Sequence, residues 1–228
     1  VFMLLFGVNF SCYYLLVLRQ IKSVLKDEEL RLYAGIVLGS IALIAWNIRG
    51  FYTSLSETVR HAAFQVGSII TTTGFATTDF DLWPSFSKTI LLCLMVVGAC
   101  AGSTGGGIKV ARVLLLFKSL RRSIAQMLHP RKVQVIRNNG AVVSERVVAN
   151  TNAYLCAYVI ILFASFVIVS LDGFSIGTNL SAVLSCLNNI GPGLELVGPT
   201  CSFGVYGDLS KIVLILDMLL GRLEIFPI

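Results

Sequence analysis

Charge is what this chain has least of. Only 13% of its 228 residues are Asp, Glu, Lys or Arg, against roughly 25% in soluble globular domains. Hydrophobic residues make up 56%, and the mean hydropathy is +0.83. A water-soluble domain is excluded and a membrane protein is expected. Metal-ligand spacing is also missing. Cys12, Cys93, Cys100, Cys156, Cys186 and Cys201 form no CxxC pair, and His61 and His129 are remote from them in sequence. Most of these cysteines sit in apolar runs, where cysteine behaves as a small hydrophobe. Neither a metal centre nor a disulfide framework is expected. No cluster of His, Glu and Asp falls at membrane depth, which argues against a membrane enzyme. No cationic leader precedes an apolar stretch near Val1, so no signal peptide is expected. The chain does not start with Met and stops inside a hydrophobic run at Ile228; it reads as a piece of a longer protein.

The charge that is present is unevenly placed. Lys109, Arg112, Lys118, Arg121, Arg122, Arg131, Lys132, Arg137 and Arg146 crowd one segment, opposed there only by Glu145. Spans of about 20 apolar residues are read at 32–49, 86–117, 152–171 and 209–228, with 1–18 as the end of an earlier helix. The basic segment joins two of these spans, so it is cytoplasmic by the positive-inside rule and is not a nucleic-acid site. Within it, "KVQVIRNNGAVVSERVV" alternates around Asn138, Asn139 and Gly140. Asn-Gly is a strong two-residue turn signal, so a small cytoplasmic β-hairpin is expected, either docking a soluble partner or tying two helices together.

The remaining pattern is a repeat of helix, outer loop, helix. Each outer loop holds a stretch that reads as a short helix, 57–70 and 179–186, the second capped by Thr178 or Asn179. Such lengths cannot span and read as re-entrant. Each is followed by a polar, glycine-bearing stretch, "TTTGF" at 71–75 and "LNNIGPG" at 187–193. Non-helical backbone at membrane depth must line a water-filled cavity or be buried in protein, and backbone carbonyls can replace the hydration shell of a potassium ion. A third interruption, "GSTGGGIK" at 102–109, superficially matches a phosphate loop. It fails because Ile108 separates Gly107 from Lys109 and Val110 stands where Ser or Thr is required. Three successive glycines cost on the order of 1 kcal/mol each in a helix, so a broken helix is expected there. Glu195, just after the second polar stretch, reads as solvated.

"DEELRLY", "TTTGF", "GSTGGGIK", "LNNIGPG" and "GRLEIF" occur in that order along the chain. Together they resemble the Trk/Ktr/HKT superfamily of potassium transporters, most closely its TrkH-type membrane subunits. The resemblance implies an all-α membrane protein of repeated helix–pore helix–filter loop–helix units, like a potassium channel. Four such units line the family's pore, and this chain looks like the third and fourth. Residues 1–30 would end a preceding helix and form a cytoplasmic linker. Residues 31–128 would be the third unit, with its filter at 71–75 and an intramembrane gate loop at 98–108. Residues 129–147 would be the hairpin linker, and 148–228 a truncated fourth unit with its filter at 188–193. Filter carbonyls would fall on Thr72, Thr73, Gly74, Asn189, Ile190 and Gly191. The gate would comprise Gly102, Gly105, Gly106 and Gly107, held by Arg222. The implied function is potassium uptake across a bacterial inner membrane by a multi-pass homodimer embedded in lipid, with no covalent cofactor. A cytosolic nucleotide-binding regulatory subunit of TrkA type would control it. The alternative within the same architecture is sodium or mixed monovalent cation transport. Coupling to protons or sodium stays open.

Overall fold

The computed structural model describes residues 1–129 and 134–223. Outside them lie Arg131 and Lys132 of the basic segment and the "EIF" end of the last motif. The chain opens with two short helices, α1 (Phe2–Phe6) and α2 (Phe10–Val17), where one helical end was expected. The break is at Gly7, where a Cβ would lie 2.5 Å from Tyr33 Oη and 2.9 Å from Thr71 Cγ2. Close approach of this backbone to its neighbours therefore sets the break. Asn9 restarts the chain by accepting from Ser11 N at 2.9 Å. A short α3 (Ile21–Lys26) leads to α4 (Glu28–Asn47). Asp27 caps α4, accepting from Leu30 N at 2.8 Å, and Glu28 and Glu29 complement the positive end of its dipole.

Next come α5 (Leu55–Ile70), α6 (Ser85–Val96) and α7 (Val110–Leu128). Residues 97–109 between α6 and α7 are not helical, as the glycine content requires. Beyond the β-hairpin come α8 (Glu145–Val169), α9 (Ile176–Leu187) and α10 (Asp208–Arg222). The order α4–α5–α6 is thus repeated as α8–α9–α10. The short helix α9 begins earlier than expected: Ser175, rather than Thr178 or Asn179, is its cap and accepts from Thr178 N at 3.1 Å. The two units share one core, in which Ile44, Val66, Ile69, Leu91 and Met95 pack with Leu184 and Ile190.

Two helices, Glu28–Asn47 and Glu145–Asp172 with its terminal 3-10 turn, are long and apolar enough to cross a membrane. The distribution of side chains on α8 suits that environment. Its exposed face carries Ile160, Phe163 and Val167, while its buried face carries Tyr154, Tyr158 and Ser165. A helix in water shows the reverse arrangement.

The hairpin pairs β1 (Arg137–Asn138) with β2 (Ala141–Val142). Asn139 and Gly140 both have positive φ, 50° and 83°, as a type I′ turn demands. Of the two roles considered for it, tying helices is what the contacts describe. Asn139 Oδ1 accepts from Glu28 N at 2.9 Å and its Nδ2 donates to Asp27 Oδ2 at 2.8 Å. Lys118 on α7 donates to Glu28 and to Arg137 O, and Ile136 packs with Leu115 and Val148. Replacing Asn139 by Gly keeps the left-handed turn but removes this second cap of α4. We expect a loss of about 1 kcal/mol of stability, read as a lower thermal midpoint in detergent. Asn139→Val, which also opposes positive φ, should lose more.

Candidate functional site

Both polar stretches start from the C-terminus of a short buried helix and repeat the same backbone pattern. Thr72 and Asn189 both have φ of 54°, and Gly74 and Gly191 follow with φ of 79° and 120°. Thr72 N donates to Ile69 O at 3.0 Å, and Asn189 N to Cys186 O at 3.1 Å. Thr73 N donates to Ser68 O and Ile190 N to Ser185 O, each at 2.9 Å. The turn thus returns its N–H groups to the last carbonyls of the helix behind it. Its own carbonyls are left over. Among the described residues, nothing donates a hydrogen bond to the carbonyls of Thr72, Thr73, Gly74, Asn189 or Ile190. The two stretches also meet: a Cβ on Gly74 would overlap Ile190 O and lie 3.3 Å from Pro192 Cδ.

The glycine segment closes against both of them. Gly98 N donates to Ile108 O at 2.9 Å and Val110 N to Ala99 O at 3.1 Å, forming a neck, so this backbone is ordered by hydrogen bonds and is not loose. At its tip Gly106 N donates to Thr72 Oγ1 at 2.7 Å. A Cβ on Gly106 would stand 2.5 Å from Asn188 O, so only glycine fits between the two turns. Gly105 lies against Thr71 O, Gly107 against the Asn188 side chain and Gly102 against Asn9. All the expected glycines therefore lie in one segment, its tip touching both turns. Arg222 is different. It ends α10, is exposed, and makes no hydrogen bond or ion pair among the described residues. Its neighbour Gly221 packs on Leu187 O, at the foot of the second turn.

Two residues have clear positions here: Glu29, which was not singled out from sequence, and Lys109, which was counted with the cytoplasmic basic segment but is buried beside the glycines. Glu29, only 7% exposed, accepts from Ala101 N at 2.5 Å and from Ala111 N at 3.2 Å. It thereby ties the glycine segment, at Ala101, and the first turn of α7, at Ala111, to α4. Buried Lys109 donates from Nζ to Gly105 O. The available signal was helical spacing: Glu29, Tyr33 and Val37 fall on one buried stripe of α4, and a carboxylate on such a stripe needs partners. Glu195 is exposed, as expected, and is also bonded. It accepts from Ser175 Oγ and, at 2.8 Å, from Thr178 Oγ1, so it completes the cap of α9. Those donors hold its carboxyl below the usual range.

A family model for TrkH, described as a cation transport protein, matches residues 50–228. The chain belongs to this family. It is 35% identical over its whole length to the Trk system potassium uptake protein TrkH of Salmonella typhimurium, covering 47% of that protein. It is 37% identical to TrkG of Escherichia coli, again over the whole chain and 47% of the relative. The crystal structure of the potassium transporter TrkH from Vibrio parahaemolyticus superposes with a TM-score of 0.87 at 36% identity, covering 99% of this chain and 49% of that one. The chain therefore spans about half the length of the relatives it matches. Its fold is that of a TrkH transporter, not of an enzyme. On this fold Glu29→Ala strands two N–H groups, one in the glycine segment and one in the first turn of α7. It should lower stability by about 2 kcal/mol, measured as a thermal midpoint in detergent, while Glu29→Gln, which keeps an acceptor oxygen, should lose about half as much.

Proposed function

We propose that this chain forms two units of a potassium uptake pore. Ions would pass along the carbonyls of Thr72, Thr73, Gly74, Asn189, Ile190 and Gly191. The observation that carries the reading is the cluster of backbone carbonyls without donors at the ends of α5 and α9. Such oxygens stand in for the hydration shell of a cation, and the negative ends of two helix dipoles point at the same place. The names of the relatives, potassium uptake proteins, agree. Where Gly74 and Gly191 set the backbone, a side chain restricts it. Gly74→Ser and Gly191→Ser in the complete protein are expected to lower the preference for potassium over sodium. Parallel uptake assays with both ions would test this, and unchanged ratios in both variants would remove the filter assignment.

In this reading the glycine segment is the gate. Its tip is bonded to Thr72 directly at the turn, so an ion leaving the carbonyls must displace it. Glu29 and Lys109 hold it closed, and Arg222 adds a cation beside the exit. The complete protein works as a homodimer in a bacterial inner membrane, with the basic segment on the cytoplasmic side. There a nucleotide-binding regulatory subunit shifts the segment. Shortening Gly105–Gly106–Gly107, or Arg222→Ala, should raise potassium flux and weaken dependence on that subunit. Flux through reconstituted complete protein, with and without the subunit, measures it. If both variants stay folded and conduct no better than the parent protein alone, the gate lies elsewhere.

A further inference from the structure

The two turns repeat each other in backbone but differ at Gly74 and Gly191, the glycines that end them. Ser185 on α9, 1% exposed, grips Gly191 by both polar backbone atoms. Gly191 N donates to Ser185 Oγ at 3.1 Å, and Ser185 Oγ donates to Gly191 O at 2.8 Å. The matching hydroxyl on α5 is that of Ser68, whose backbone carbonyl holds the first turn as that of Ser185 holds the second. Ser68 Oγ reaches one residue further along its loop and donates to Phe75 O at 2.5 Å. Gly74 O is thereby spared. The φ values, 79° for Gly74 and 120° for Gly191, record the same divergence.

We propose that Ser185 withdraws the Gly191 carbonyl from the ion path, so that the second turn offers carbonyls from Asn189 and Ile190 only, and that it thereby sets ion preference. This rests on the filter reading above and narrows its ligand set. A carbonyl oxygen has two lone pairs. A hydroxyl 2.8 Å away occupies one and turns the dipole toward α9. Selectivity between potassium and sodium depends on how many carbonyl dipoles surround the ion and how strongly. A ring missing one carbonyl discriminates less well than a complete one. Ser185 is a positioning residue here: it touches no ion and acts only through Gly191.

The test measures the ratio of potassium to sodium uptake in the complete protein. Ser185→Ala releases Gly191 O. The ratio is expected to rise on the order of fivefold, the equivalent of one hydrogen bond of about 1 kcal/mol. Ser185→Cys keeps the volume with a poor donor and should move the ratio the same way, which protects the test if the alanine variant fails to fold. Ser185→Thr keeps the hydroxyl and should restore the parent ratio. A role in packing alone predicts no rise in either hydroxyl-free variant. An unchanged or lower ratio in the folded alanine and cysteine variants overturns the proposal. Gly74→Ser, measured alongside, separates the two failures. If it changes the ratio and the Ser185 variants do not, only this inference falls; if it too changes nothing, the filter reading falls with it.

Discussion

Everything at the centre of this fold follows from where the N–H groups of two turns can go. Backbone that leaves a helix away from water must find partners within the protein. At the ends of α5 and α9 the chain does this by turning left-handed at Thr72 and Asn189, which folds the next N–H groups back onto the helix just completed. The left-handed region costs a non-glycine residue about 1–2 kcal/mol, so the turn persists only because the hydrogen bonds and burial around it offset that cost. Once the donors are used, the carbonyls remain, and among the described residues nothing donates to those of Thr72, Thr73, Gly74, Asn189 and Ile190.

The same constraint explains the glycine segment. It has to pass beneath two turns that already approach each other, and the gap admits backbone but no Cβ at Gly106. A helix across that gap would carry side chains into Asn188 O and Thr72. The chain instead unwinds after Val96, closes a neck between Val97 and Ile108, and resumes as α7. An unwound segment of this kind needs anchors, and Glu29 and Lys109 supply them from the flanking helix and from the segment itself. Breaking one anchor leaves buried polar groups unpaired, so the segment is held in one arrangement rather than drifting among several.

Much of this was legible in the sequence, and what was missed has definite physical causes. Composition and the asymmetry of Lys and Arg announced membrane helices, Asn139-Gly140 announced the hairpin, and the glycine run announced a broken helix. Helix starts were less legible. Ser175 caps α9 where Thr178 or Asn179 was expected, because each of the three side chains is a competent acceptor and the sequence does not say which one the chain turns at. The break at Gly7 was invisible since it depends on Tyr33 and Thr71, residues far away in sequence. Arg222 drew attention as a charge in an apolar run, yet it stands exposed at a helix end. Glu29 attracted none, although its carboxylate is buried, and neither did Asp217, which is buried on α10. Charge near a helix start passes for capping until its face is known.

That position of Glu29 has a mechanical consequence. The hairpin and α7 grip α4 at Asp27 and Glu28 through Asn139 and Lys118. The very next residue, Glu29, grips the glycine segment at Ala101 and the first turn of α7 at Ala111. Adjacent residues on a helix turn by about 100° relative to one another, so the same half-turn of α4 presents one face to the basic segment and another to the segment beneath the turns. A helix backbone is stiff over that distance. Any tilt or rotation of the start of α4 must therefore move both sets of bonds together. A displacement of the hairpin would act on the glycine segment through this single half-turn. The hairpin and the glycine segment are in this respect two ends of one short lever, because both are bonded to the same half-turn of α4.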